Sequence, residues 1–118
     1  MFRGRVSYSL HAALELITAS ALLLVPFAIG LSPDAIVTAG VIGAILFGLA
    51  LTATASDGRG TVPISAHATY DAAVALVLIG AALLFGFTGE VPALLFLLAA
   101  GLAQLVLNGF TRYSPARP

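Results

Sequence analysis

Four apolar stretches, each about as long as a membrane is thick, take up most of this 118-residue chain. At 1.5 Å rise per residue, roughly 20 helical residues cross the ~30 Å hydrocarbon layer, and a helix satisfies its backbone donors and acceptors internally. The stretches run from about Tyr8 to Leu31, Ala35 to Ala55, Ile64 to Phe87 and Val91 to Thr111. Short turns, Ser32-Pro33-Asp34 and Thr88-Gly89-Glu90, punctuate the two halves, and a longer polar linker occupies 56–63. The expected fold is all-α: an integral membrane four-helix bundle of two parallel two-helix hairpins, forming a single membrane domain over residues 1–118. Composition agrees, because 60% hydrophobic residues, 8% charged residues and a mean hydropathy of +1.09 exceed what a soluble domain of this length buries.

Charge sets the orientation. Arg3 and Arg5 precede the first span, Arg59 lies in the linker, and Arg112 and Arg117 follow the fourth. After four crossings these segments share one face, and the opposite turns carry only Asp34 and Glu90. The positive-inside rule therefore places both termini and the linker in the cytoplasm, in a multi-pass protein of the cytoplasmic (inner) membrane whose main partner is the lipid bilayer. Arg3 and Arg5 ahead of an apolar run imitate a signal peptide. However, Glu15 interrupts that run, it continues past Pro26, and no small-residue cleavage site followed by a polar domain appears. With zero net charge and dispersed arginines there is no basic patch, so nucleic acid is not an expected partner. With no cysteine, any metal must be held by His and carboxylates.

Displacing the chain on itself by 56 positions superimposes His11 on His67, Glu15 on Asp71, Ala19 on Ala75, Leu22 on Leu78, Gly30 on Gly86, Asp34 on Glu90, Ala44 on Ala100 and Leu46 on Leu102. Chance similarity between apolar helices explains some of this, and explains less well the rare His and acidic residues that recur at matched depth. The halves read as an internal repeat, about 8–55 and 64–111. Each repeat has two spans and enters from the same side, so their symmetry axis lies along the membrane normal.

The run Leu22-Leu23-Leu24-Val25-Pro26-Phe27-Ala28-Ile29-Gly30, with the polar turn and small-residue-rich span after it, resembles the SPW-repeat family over residues 9–55. That family's unit is a two-helix membrane segment named for a Ser-Pro-Trp near the end of its first helix. Here the triplet is Val25-Pro26-Phe27, and Ala81-Ala82-Leu83 replaces it in the second half. The resemblance implies a small bacterial membrane protein of unassigned activity and carries over no site residues.

The chemistry lies in the repeated His-x-x-x-acid. Four-residue spacing puts His11 over Glu15 and His67 over Asp71 on their helical faces, and parallel repeats put both pairs in one leaflet. If the pairs meet, two imidazoles and two carboxylates form a ligand set for zinc, iron or manganese. The same groups can relay protons, since histidine titrates near neutrality, and two histidines can ligate a haem. Alternatively each pair is a structural ion pair near headgroup level. From Leu16 to Leu31 and from Ala72 to Phe87 the run free of ionisable residues is short of a full span, with Ser9 and Ser65 capping or hydrogen-bonding the helix starts. Gln104 and Asn108, also four apart, are placed to face His67 and Asp71, while Thr52 corresponds to Asn108 in the first repeat. Tyr8, Tyr70 and Tyr113 suit the interfacial aromatic belt.

Pro26 either kinks its helix and faces protein, because the helix loses a hydrogen bond there, or only tilts the end of the first helix into the turn. Gly40, Ala44 and Gly48 form a small-residue stripe on the second span. On the fourth, Ala93, Leu97, Gly101 and Leu105 share one face, with Ala99 and Ala103 on another ridge. Such faces serve internal packing or a homo-oligomer. No phosphate loop, nucleophile elbow, zinc-protease or dinucleotide motif occurs, so the chain is not expected to be an enzyme. The leading expectation is a structural or accessory membrane protein. A transporter-like module handling protons or divalent cations through His11, Glu15, His67 and Asp71 is the alternative, and a haem carrier a second one.

Overall fold

A computed structural model describes residues 6–53 and 64–111. They form four helices: α1 (Tyr8–Ala28), α2 (Pro33–Ala53), α3 (Ile64–Phe87) and α4 (Val91–Phe110). All four are long and apolar enough to cross a membrane. Their outward faces carry Leu24, Phe27, Val37, Leu84, Phe87 and Leu95, so the exterior is as apolar as the core, the pattern of a bundle solvated by lipid. The five arginines and the linker lie outside the described residues.

Helix α1 packs along α2 and α3 along α4. Shorter seams join α2 to α3 and α1 to α4, so α1 and α3 face each other across the diagonal of a square bundle. At one end, Val6 N–H donates to the Phe110 carbonyl at 3.0 Å. At the other, Ser32 N–H donates to Glu90 Oε2 at 3.2 Å, tying the two turns together. The core between is apolar, built from Ala19, Leu22, Ala39, Ile42, Leu46, Val74, Leu78, Ala82 and Leu97.

Both hairpins turn by the same device. Gly30 and Gly89 have φ of +70° and +84°. In each, the residue after the glycine donates to a carbonyl five residues back, Leu31 N to Pro26 O and Glu90 N to Phe85 O, at 3.0 and 2.9 Å. These are Schellman caps, and the left-handed residue at their pivot favours glycine. Gly30 therefore corresponds to Gly89, not to Gly86 as the uninterrupted displacement has it.

The same discrepancy runs through the second helices. On α1 and α3 the residues 56 apart are buried alike: His11 and His67, Glu15 and Asp71, Ala19 and Ala75, Leu22 and Leu78. On α2 and α4 that register fails, since Leu46 is buried and Leu102 is 47% exposed. The glycines at the tight helix crossings are Gly43 and Gly101, 58 apart. A Cβ on Gly43 would lie 2.9 Å from Leu22 Cβ, and one on Gly101 would lie 3.1 Å from Leu78 Cβ. The physical reason is length. Helix α3 has 24 residues against 21 in α1, and its turn is shorter.

The Gly40, Ala44 and Gly48 stripe does not pack inside the bundle: Ala44 is exposed, and a Cβ on Gly40 or Gly48 would meet nothing within 4 Å. On α4, Ala93, Leu97 and Gly101 are buried as expected, but Leu105 turns outward and the buried face continues through Gln104. Pro26 is fully buried against protein. Helix α1 is capped by Ser7, whose side chain accepts from Leu10 N–H at 3.2 Å, and not by Ser9, which falls inside the first turn. Ser65 likewise sits inside α3, where its carbonyl accepts the Thr69 hydroxyl.

Candidate functional site

At one end of the bundle all four helices bring polar groups to a common point. His11 and Glu15 come from α1, His67 and Asp71 from α3, Gln104 from α4, and each is 0% exposed. The parallel course of α1 and α3 puts the two pairs at the same height, and the diagonal packing points them at each other. One ligand-capable atom from each of His11, Glu15, His67 and Asp71 lies within 4.8 Å of the others. The pairs are thus one cluster, not two separate pairs turned toward the headgroups.

The outer nitrogens of both imidazoles are tied to fixed partners. His67 Nε2 lies 2.8 Å from the Leu49 carbonyl, which only accepts, so Nε2 carries a proton. The Thr111 hydroxyl donates its single proton to the Leu107 carbonyl at 2.6 Å. It therefore accepts from His11 Nδ1–H, also at 2.6 Å. In the neutral ring, each of these bonds leaves the other nitrogen with its lone pair directed into the cluster.

The inner atoms are close. His11 Nε2 lies 2.8 Å from both Glu15 Oε2 and Asp71 Oδ2. His67 Nδ1 lies 2.9 Å from the same Asp71 oxygen. Gln104 Nε2–H donates to Glu15 Oε2 at 2.9 Å and to Asn108 Oδ1 at 3.2 Å. Glu15 Oε1 is buried with no hydrogen-bond partner among the described residues, 3.7 Å from His67 Nε2. Two carboxylates in an apolar bundle bring two negative charges that must be balanced, by protons on the inner nitrogens or by a cation. Four ligand-capable side chains gathered this closely, with both outer imidazole nitrogens anchored, are what a divalent ion needs.

The remaining expected residues divide. Gln104 reaches across the α1–α4 seam to Glu15. Asn108 stands behind it as acceptor. The Thr52 hydroxyl donates to Leu49 O at 2.7 Å, the carbonyl that also receives His67, so Thr52 touches the cluster only through that oxygen. Tyr70 is 50% exposed on the outside of α3 and takes no part. A haem does not fit. The inner nitrogens of both histidines meet the same Asp71 oxygen, so a carboxylate fills the space a macrocycle between them would require.

Three participants escaped sequence reasoning. Thr111 follows Gln104 and Asn108 at helical spacing of four and three, a signal that was available. Tyr8 stacks on His11 at 6.3 Å between centroids and meets His67 edge-on at 5.5 Å, where an interfacial position had been expected. The Leu49 carbonyl carries no sequence signal, because every residue has one.

Compared with protein-family models, curated proteins and solved structures, the chain matches none.

Proposed function

We propose that this is a small accessory membrane protein whose bundle holds one divalent transition-metal ion, zinc foremost, between two helical hairpins. The observation that carries this reading is the convergence of His11, Glu15, His67 and Asp71 with both outer imidazole nitrogens tied to acceptors. Two carboxylates neutralise a divalent ion, so the loaded centre has no net charge in its apolar surroundings. Four protein donors close a tetrahedral shell, the arrangement of structural metal sites. Its donors come equally from the two hairpins, whose mutual seams are short, so an ion there clamps one hairpin to the other. In this role the chain needs no catalytic step.

Both hairpins descend, on this reading, from one SPW-like unit. Their shared Schellman turns and the matching crossings at Gly43 and Gly101 support that origin. The positive-inside distribution of the arginines supports a metal end at the cytoplasmic face of the cell's inner membrane. The outward Gly40, Ala44 and Gly48 face is where a second copy would pack.

The test is elemental analysis of protein purified in detergent and loaded with zinc, iron(II) or manganese, beside an E15Q/D71N double variant. One tightly held ion per chain, lost in the variant, is expected. No retained metal in either preparation would falsify the reading. One observation favours a second reading, a proton-holding cluster. The 2.8 and 2.9 Å separations are hydrogen-bond distances. They are shorter than the ~3.3 Å between donors of a tetrahedral zinc. A chain that binds no metal, yet loses stability in the double variant, would support that alternative.

A further inference from the structure

The cluster sits at one end of the bundle, and its surroundings differ sharply above and below. Toward the near end, among the described residues, lies Tyr8, the first residue of α1, 9% exposed, stacked on one imidazole and edge-on to the other. Toward the far end every buried side chain among the described residues is apolar. Leu22, Leu46, Leu78 and Leu97 are 0% exposed and fill the axis. The buried polar residues His11, Glu15, His67, Asp71, Gln104 and Thr111 all belong to the near end. An ion leaving the cluster in that direction would shed four ligands and meet none, in packing too dense to hold its water. The groove between α2 and α3 that runs past Leu49 is lined by Ile45, Gly48, Ala73 and Val74 with Thr52 and Tyr70, residues beside the cluster, so it leads no polar group toward the far end.

From this asymmetry we infer that the metal centre is a dead end: its ion exchanges with one aqueous face only, past the Tyr8 ring, and is not carried across the membrane. The inference rests on the metal reading above and concerns what that site does with its ion. The Tyr8 ring lies against both imidazoles and stands outside the set of four ligand residues, so it governs the rate of exchange and not the number of ions held.

Vesicles test it directly. Zinc-loaded protein is reconstituted in both orientations, and a membrane-impermeant chelator is added outside. Orientation is measured on a Thr88→Cys variant, since Thr88 is exposed in the far turn and the chain has no cysteine of its own. Impermeant maleimide then labels the molecules whose far end faces out. The labelled fraction is expected to keep its zinc until detergent is added, and the rest to lose it. A zinc-sensing dye inside the vesicles is expected to stay at the level of protein-free vesicles. Tyr8→Ala is expected to hasten loss from the accessible fraction by at least about tenfold, the scale seen when outer-shell partners of a metal are removed. Tyr8→Phe keeps the ring and is expected to leave the rate near that of the unsubstituted chain.

Complete stripping without detergent, or zinc appearing inside, overturns the dead end. Retention in every orientation, or unchanged loss from Tyr8→Ala, overturns the Tyr8 route. Should Tyr8→Ala fail to fold, the orientation experiment on the Thr88→Cys chain decides alone. Protein that holds no zinc before reconstitution overturns the metal reading instead, a result distinct from all of these.

Discussion

Replacing Gln104 by leucine separates a metal site from ordinary helix glue, because the two give different magnitudes. Gln104 is fully buried, and its amide donates to Glu15 Oε2 at 2.9 Å. Leucine nearly preserves its volume, so the change removes the hydrogen bond and leaves the packing. If the contact only holds α4 to α1, its worth is that of an average membrane side-chain hydrogen bond, about 0.6 kcal/mol, and any effect on ligand affinity is about threefold. If it aims a charged metal ligand, the bond is charge-assisted and worth about 1.5–3 kcal/mol, or about 10- to 100-fold in affinity. Losses of outer-shell partners at metal sites cover the same range. The larger figure follows from the structure, since the carboxylate is ionised when it ligates and Gln104 is the amide donor that reaches it. Competition between the protein in micelles and a zinc-chelating dye gives the dissociation constant. A thermal melt of the metal-free protein in parallel shows whether the bundle itself has suffered. A variant that binds zinc within threefold of the original, with an unchanged metal-free melt, refutes the positioning role of Gln104. A large affinity loss with a nearly unchanged metal-free melt supports it.

Three further outcomes follow from the same geometry. Thr111→Val removes the acceptor of His11 Nδ1–H at 2.6 Å and is expected to weaken zinc about tenfold, read by the same competition. Gly43→Ala and Gly101→Ala are expected to destabilise the bundle by about 1–3 kcal/mol through overpacking. The reason is that their Cβ atoms would fall 2.9 Å from Leu22 Cβ and 2.8 Å from Ile79 Cγ1. Gly40→Ala and Gly48→Ala meet open space and are expected not to destabilise. Reversible unfolding in mixed micelles compares the four, and equal effects from all of them would contradict the crossings described. Glu90→Ala removes the acceptor of Ser32 N–H at the far turns. It should cost about 0.5–1.5 kcal/mol in the same unfolding assay without altering zinc affinity, because the tie lies at the opposite end from the cluster.

Much of the architecture was legible because it follows from short-range rules. The length of each apolar run, the polar turns and the dearth of charge prescribe four helices of spanning length. Helix α3 occupies the residues expected, and α1 ends earlier, at Ala28, since the Gly30 turn consumes residues through Leu31. The candidate quartet was legible too, since His11, Glu15, His67 and Asp71 share a spacing and a displacement of 56. That displacement misled beyond the first helices, because α3 is three residues longer than α1 and its turn one residue shorter, which shifts the second helix by two, and a comparison without gaps cannot register that.

Whether the two pairs meet was not contained in their spacing. Helical periodicity says which residues share a face of one helix and is silent about which helix that face meets. The choice between a buried cluster and two separate pairs was made by the diagonal packing of α1 against α3, and that packing depends on Gly43 and Gly101 letting each hairpin close tightly. The partners from outside the motif, Thr111, Tyr8 and the Leu49 carbonyl, come from positions far along the chain or from the backbone itself. The sequence by itself determined four apolar helices and a rare set of ionisable side chains at matched depth. Only the tertiary structure decided that these side chains face one another, because contact across a bundle is settled by the packing of whole helices and not by any local run of residues.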